Sequence, residues 1–91
     1  MTTKESPSNV LHRFLTHGRL LTIPAKQSKR RVILDHIAGS FEPGVRYPET
    51  EVNEILLRFH DDFAALRRYL VEGEFLTREN SVYWRSGGSV T

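Results

Sequence analysis

The chain has 91 residues, no cysteine and 38% apolar residues. That length supports one small domain of modest stability, and the lack of cysteine excludes disulfides, thiolate metal sites and a cysteine nucleophile. The formal net charge of +2 resides in residues 1–25, where Lys4, Arg13 and Arg19 stand against Glu5, while residues 26–91 carry ten basic and ten acidic side chains. A globally neutral domain lacks the footprint of a polyanion binder, so any contact with nucleic acid must come from local patches. No apolar run approaches the ~20 residues of a membrane span, and the polar stretch from Met1 to Asn9 has no secretory h-region. The expected location is the cytoplasm, with no membrane association.

In chain order, residues 1–8 read as a polar, frayed tail. Ser8 is placed to cap a short helix reaching Thr16, with Val10, Leu11, Phe14 and Leu15 on one side and Gly18 as the stop. Leu20 to Ile23 is a strand or an extended arm, closed by Pro24. Ser28 then caps the clearest helix, in which Ile33, Leu34, Ile37, Ala38 and Phe41 recur at helical spacing. Gly39 and the Glu42-Pro43-Gly44 turn end it, and Val45 to Tyr47 makes a short strand. Pro48 opens the next helix, with Glu49 and Glu51 in the first turn and Val52, Ile55, Leu56 and Phe59 as its apolar stripe.

Asp61 is the expected cap of a further helix that Gly73 closes, its inward stripe being Phe63, Leu66 and Leu70. Phe75–Arg78 and Val82–Arg85, separated by the three polar residues Glu79, Asn80 and Ser81, read as a β-hairpin. Ser86 to Ser89 reads as a flexible end. Helix, short strand, helix, tight turn, helix and hairpin is the order of a winged helix. The expected fold is therefore α+β and winged-helix-like, with three or four helices and a C-terminal β-hairpin wing. Residues 1–25 form a tail with a short helix or arm, 26–86 the domain and 87–91 a flexible terminus.

The stretch from Phe41-Glu42-Pro43-Gly44 through Tyr47, Glu51-Val52-Asn53, Phe59-His60-Asp61-Asp62, Leu66-Arg67-Arg68-Tyr69-Leu70-Val71-Glu72 and Tyr83-Trp84-Arg85 resembles the bacterial domain of unknown function 2087 family. The resemblance covers residues 26 to 86 and leaves Val10 to Ile23 outside. Pro48 stands where a hydroxyl cap is common in that family, and Asn80-Ser81 where a turn glycine is common. The resemblance implies a domain that stands alone or follows a helix-turn-helix regulator domain, is presumed to bind nucleic acid, and brings no catalytic residues.

Arg67 and Arg68 lie on the helix that a winged helix would use for recognition, with Ala64, Ala65, Arg68 and Glu72 facing away from the stripe. Arginine suits guanine edges and phosphates, although a solvated face with an Arg68–Glu72 pair explains the same pattern. Asp61 and Asp62 at the start of that helix would repel phosphate, as would Glu49, Glu51 and Glu54 on the helix before it. Lys26, Lys29, Arg30 and Arg31 form a dense basic cluster at a helix start, where the dipole disfavours cations. On the second hairpin strand, alternation puts Tyr83 and Arg85 on one face and Trp84 on the other. Trp84 is expected to pack on the helices, leaving Tyr83, Arg85 and Arg78 as a stacking and phosphate-contacting surface.

The candidate nucleic-acid-binding set is thus Arg67, Arg68, Arg78, Arg85, Tyr83, Lys29, Arg30 and Arg31. His12, His17, His36 and His60 are scattered without the spacing of a helical metal site, and no phosphate loop or catalytic triad signature is present. The expectation is a non-enzymatic regulator binding double-stranded DNA, without cofactor or metal. The alternative is a protein-interaction or ligand-sensing module that keeps the shape without the DNA. The apolar N-terminal helix is a possible homodimer surface or a cover for the chain's own core.

Overall fold

The computed structural model describes residues 6–88. Helix α1 (Pro7–Phe14) is capped by the Ser6 hydroxyl, which accepts from the Asn9 amide at 3.2 Å, with Pro7 in the first turn. The cap is Ser6 rather than Ser8, and the helix ends before Thr16. Strands β1 (Leu15–Thr16) and β2 (Arg19–Leu20) pair antiparallel across His17 and Gly18. The φ values of these two residues, 53° and 80°, are both positive, as a two-residue type I′ turn requires. Gly18 therefore serves a hairpin, where a helix stop was expected.

Helix α2 spans Gln27–Ala38, beginning before Ser28, with Lys26 at the cap position making no side-chain cap bond. Strand β3 (Arg46–Pro48) leads into α3 (Glu49–Leu57), whose first amide donates to the Ser81 carbonyl at 2.9 Å. Helix α4 (Phe63–Glu72) is capped by Asp62, whose carboxylate accepts from the Ala65 amide at 3.2 Å, and Gly73 closes it. Asp61, the expected cap, instead pairs with Arg19 at 2.9 Å. Strands β4 (Leu76–Glu79) and β5 (Val82–Arg85) complete the order. Their turn has two residues rather than three: Asn80 and Ser81 have φ of 51° and 62°, and Glu79 pairs with Val82.

The larger sheet has the order β3-β5-β4, antiparallel throughout, with Tyr47 opposite Tyr83, and Arg78 also opposite Tyr83. The protein is α+β, with four helices and two small antiparallel sheets among the described residues. The order of the elements is compatible with a winged-helix-like arrangement. Ile33, Ile37, Phe41, Val52, Leu56, Leu66, Leu70, Leu76 and Tyr83 are closed to solvent and form the centre of one core.

The hairpin faces the opposite way from the sequence expectation. Tyr83 is only 1% exposed, whereas Trp84 is half-buried, with the Arg46 guanidinium 4.2 Å from its ring centroid. Alternation was read correctly, but its parity is set by the partner strand. Tyr83 lies opposite buried Tyr47, which meets Phe41 edge-on at 5.2 Å, and its hydroxyl finds a partner inside at Glu49. A buried tyrosine needs such a partner, while Trp84 covers the far side of the sheet with Arg46. Tyr83 is thus a core residue and offers no ring for stacking.

The N-terminal segment joins the same core. Val10 is 3% and Leu20 5% exposed, the Leu20 amide donates to the Phe59 carbonyl at 2.7 Å, and Arg19 donates to the Leu57 and Arg58 carbonyls. The apolar side of α1 lies against the chain's own α2. At the other end, the Ser86 and Gly87 amides both donate to the Phe75 carbonyl. A β-carbon at Gly87 would collide with the Glu74 carbonyl, so this position is closely packed, where a loose end was expected.

Candidate nucleic-acid interface

Helix α4 buries Leu66 and Leu70 and turns Ala64, Arg68 and Glu72 outward, with Arg67 and Val71 on its half-buried flanks. One flank faces the start of α3 and the hairpin. There Arg67 donates to the Asn53 side-chain oxygen, and its Nε lies 3.8 Å from Glu49 Oε1. Arg78 Nε, from β4, approaches the same oxygen at 4.0 Å. The Tyr83 hydroxyl donates to it at 2.6 Å.

The Tyr83 hydrogen bond holds the Glu49 carboxyl below its ordinary pKa, against the opposing effect of partial burial and with help from the Arg67 and Arg78 charges. Burial, then the bond to Glu49, pushes the Tyr83 phenol above its ordinary value. At neutral pH the site therefore holds an ionised Glu49 and a neutral Tyr83. An open groove of about 420 Å³ runs between α4 and β4 here, lined by Ala64, Arg67, Arg68, Val71 and Arg78, with Glu49, Glu72 and Tyr83.

The other flank meets α2. The Arg30 guanidinium lies 4.4 Å from the Tyr69 ring centroid and Arg68 lies 5.2 Å from the same ring. Arg30 also donates to the Ala25 carbonyl at 2.9 Å. Arg31 lies 4.8 Å from the Phe75 ring centroid and 3.5 Å from the Gly73 carbonyl just past the end of α4. Cations stacked on rings at exposed sites gain ~0.5–1 kcal/mol each, and positive charge suits a helix C-terminus. These contacts account for the two arginines of the basic cluster at the start of α2, where the dipole of their own helix disfavours them.

Five of the eight sequence-chosen residues thus surround α4. Arg67, Arg68 and Arg78 line one groove, Arg31 and Arg78 share a second depression, and Arg30 and Arg31 line a third beside Tyr69. Lys29 stands half-buried on the first turn of α2. Arg85 is not among the residues of the arginine groove: its Nε donates to the Gly87 carbonyl at 3.1 Å, and its guanidinium lies close to Gly88. Tyr83 contributes a hydroxyl only.

Sequence reasoning missed the roles of Asn53, Tyr69 and Arg46 and took Glu49 for a dipole-matched residue. Glu49 follows directly on strand β3, whose pairing with β5 brings it to Tyr83. Negative charge also borders the site, with Glu72 and Glu74 on the rims and an exposed Asp61 at the start of α4.

The protein is a small α+β domain with an arginine-lined groove along the exposed face of α4. The chain belongs to a bacterial family, described as "Uncharacterized protein conserved in bacteria (DUF2087)", whose profile matches residues 19–85. The match starts at Arg19, so β2 lies within the family region and not outside it as the sequence resemblance had it. Neither the curated proteins nor the solved structures yield a match. Among the described residues no helix is long and apolar enough to cross a membrane.

Proposed function

We propose that the protein binds nucleic acid, double-stranded DNA foremost, through the exposed face and C-terminal half of α4, as a regulator-type domain of the cytoplasm. The observation that carries this reading is the convergence of Arg30, Arg31, Arg67, Arg68 and Arg78, from three separate stretches of chain, around one helix. Arginines held by rings and carbonyls are pre-oriented, which lowers the entropy lost when they meet phosphates. The acidic N-terminal end of α4 directs the contact toward the other end of the helix. Hairpin β4–β5 acts as the wing, with Arg78 on its edge strand β4. No catalytic role is assigned.

The test is fluorescence anisotropy of a labelled random-sequence duplex across a salt series. Arg68→Ala and Arg78→Ala should each weaken binding and flatten the logarithmic salt slope by about 0.9, the value for one phosphate contact. Unchanged slopes in both variants would reject the surface.

A second reading, a protein-interaction or ligand-sensing module, is favoured by one specific feature: Asp61 is 89% exposed beside the helix start that most often enters a groove. It predicts no duplex binding at low salt and a partner or small ligand seated on the same arginines.

A further inference from the structure

Glu49 is tied on one side and open on the other. Its Oε1 receives the Tyr83 hydroxyl at 2.6 Å from within the fold. From the groove side it faces the Arg67 and Arg78 Nε atoms at 3.8 and 4.0 Å, which is pairing distance but too long for a hydrogen bond. The same oxygen thus meets the tyrosine closely and the two guanidiniums only at a distance. Both guanidiniums therefore feel its charge, while their Nε atoms stand beyond hydrogen-bond distance of it. A phosphate has more oxygens than a carboxylate and accepts forked bonds from two guanidiniums at once. The groove beside them, about 420 Å³, is wide enough to admit one.

We propose that this groove is a phosphate-binding site, with Arg67, Arg78 and Arg68 as its donors and Glu49 as a built-in competing anion that moderates its affinity. The ligand is a phosphate group, carried either on a nucleic-acid backbone or as a free phosphate. The first case rests on the nucleic-acid reading above; the second does not. Glu49 holds the two guanidiniums in place when the groove is empty and offsets part of their charge when a phosphate arrives. Tyr83, by fixing the carboxylate below the groove, keeps it from closing the site.

The experiment compares the 91-residue wild-type chain with Glu49→Gln, in which the Tyr83 hydroxyl still has an oxygen to meet. Glu51→Gln is the control: it removes the same charge from an exposed position of α3 that does not line the groove. With a random-sequence DNA duplex as probe, Glu49→Gln should bind about five-fold tighter, the Boltzmann factor of one charge pair ~4 Å apart in water. Its salt slope should steepen by about 0.9, and Glu51→Gln should do neither.

Equal effects of the two substitutions, or no effect of Glu49→Gln, would overturn the role of Glu49 and leave the nucleic-acid reading standing. If wild type and variants all fail to bind duplex, the nucleic-acid reading falls. Inorganic phosphate then decides the site. Saturable shifts of the Arg67 and Arg78 Nε–Hε resonances, larger in Glu49→Gln than in wild type, support a free-phosphate site; their absence rejects it.

Discussion

Replacing Tyr83 and Trp84 by alanine, one at a time, tests which face of the hairpin the core uses. Tyr83 is 1% exposed, with its ring enclosed by the core and its strand partner Tyr47 also buried. Truncating a fully buried aromatic costs ~3–5 kcal/mol, as transfer energy and a residual cavity. A chain of 91 residues has a total stability of roughly 5–14 kcal/mol, at ~0.05–0.15 kcal/mol per residue. Tyr83→Ala therefore removes about a fifth or more of the total and lowers the urea midpoint by roughly 2 M.

Trp84 is half-buried and stacks with Arg46 at 4.2 Å. Its loss removes that contact and part of its burial, ~1–2 kcal/mol in all, and lowers the midpoint by about 1 M or less. Far-UV circular dichroism follows both unfolding curves without relying on tryptophan fluorescence. Trp84→Ala proving as costly as Tyr83→Ala, or costlier, would refute the assignment of the inner face.

Asp62→Ala should cost about 1 kcal/mol through the lost α4 cap, while Asp61→Ala, which breaks only an exposed pair with Arg19, should cost between ~0 and 1 kcal/mol. Thermal melts of the two variants separate them. Tyr83→Phe should melt below wild type across neutral pH. The Glu49 carboxyl is held below its ordinary pKa, so its contribution is present above that ordinary value and lost as pH falls through the folded one. The Tyr83 phenol is held above its ordinary value, so its contribution is present below that value and lost as pH rises through the folded one. The melting difference should thus close toward both acid and alkaline extremes, and a difference independent of pH would rule the bond out as its cause. Gly87→Ala should destabilise by ~1–3 kcal/mol, because the new β-carbon meets the Glu74 carbonyl; an unchanged urea midpoint would contradict the packing described for that segment.

Much of the fold was legible because apolar spacing is a local property. The stripes Ile33-Leu34-Ile37-Ala38, Val52-Leu56 and Leu66-Leu70 were read from the chain and are the buried faces of α2, α3 and α4. The caps of α1 and α4 lie one or two residues from the expected ones because several hydroxyl or carboxyl residues stand near those two starts. Arg19 takes Asp61 and leaves the cap to Asp62. The two hairpin turns were misjudged because His17, Asn80 and Ser81 adopt positive φ, a conformation more often associated with glycine.

The inner face of β5 was not legible, since alternation gives two faces and only pairing with β3 says which one is buried. The arginines of the site were found as single residues. Their convergence was not, because the stacks of Arg30 on Tyr69 and Arg31 on Phe75 span some forty positions of chain. Glu49 was hidden for the same reason: its chemistry depends on Tyr83 and Arg78, which the sheet brings to it.

The most direct test of the arginine surface is the salt dependence of duplex binding by the wild-type protein, followed by anisotropy. Four or five phosphate contacts predict a logarithmic slope near −4, at about −0.9 per contact. A flat response, or no binding at low salt, would contradict the nucleic-acid reading.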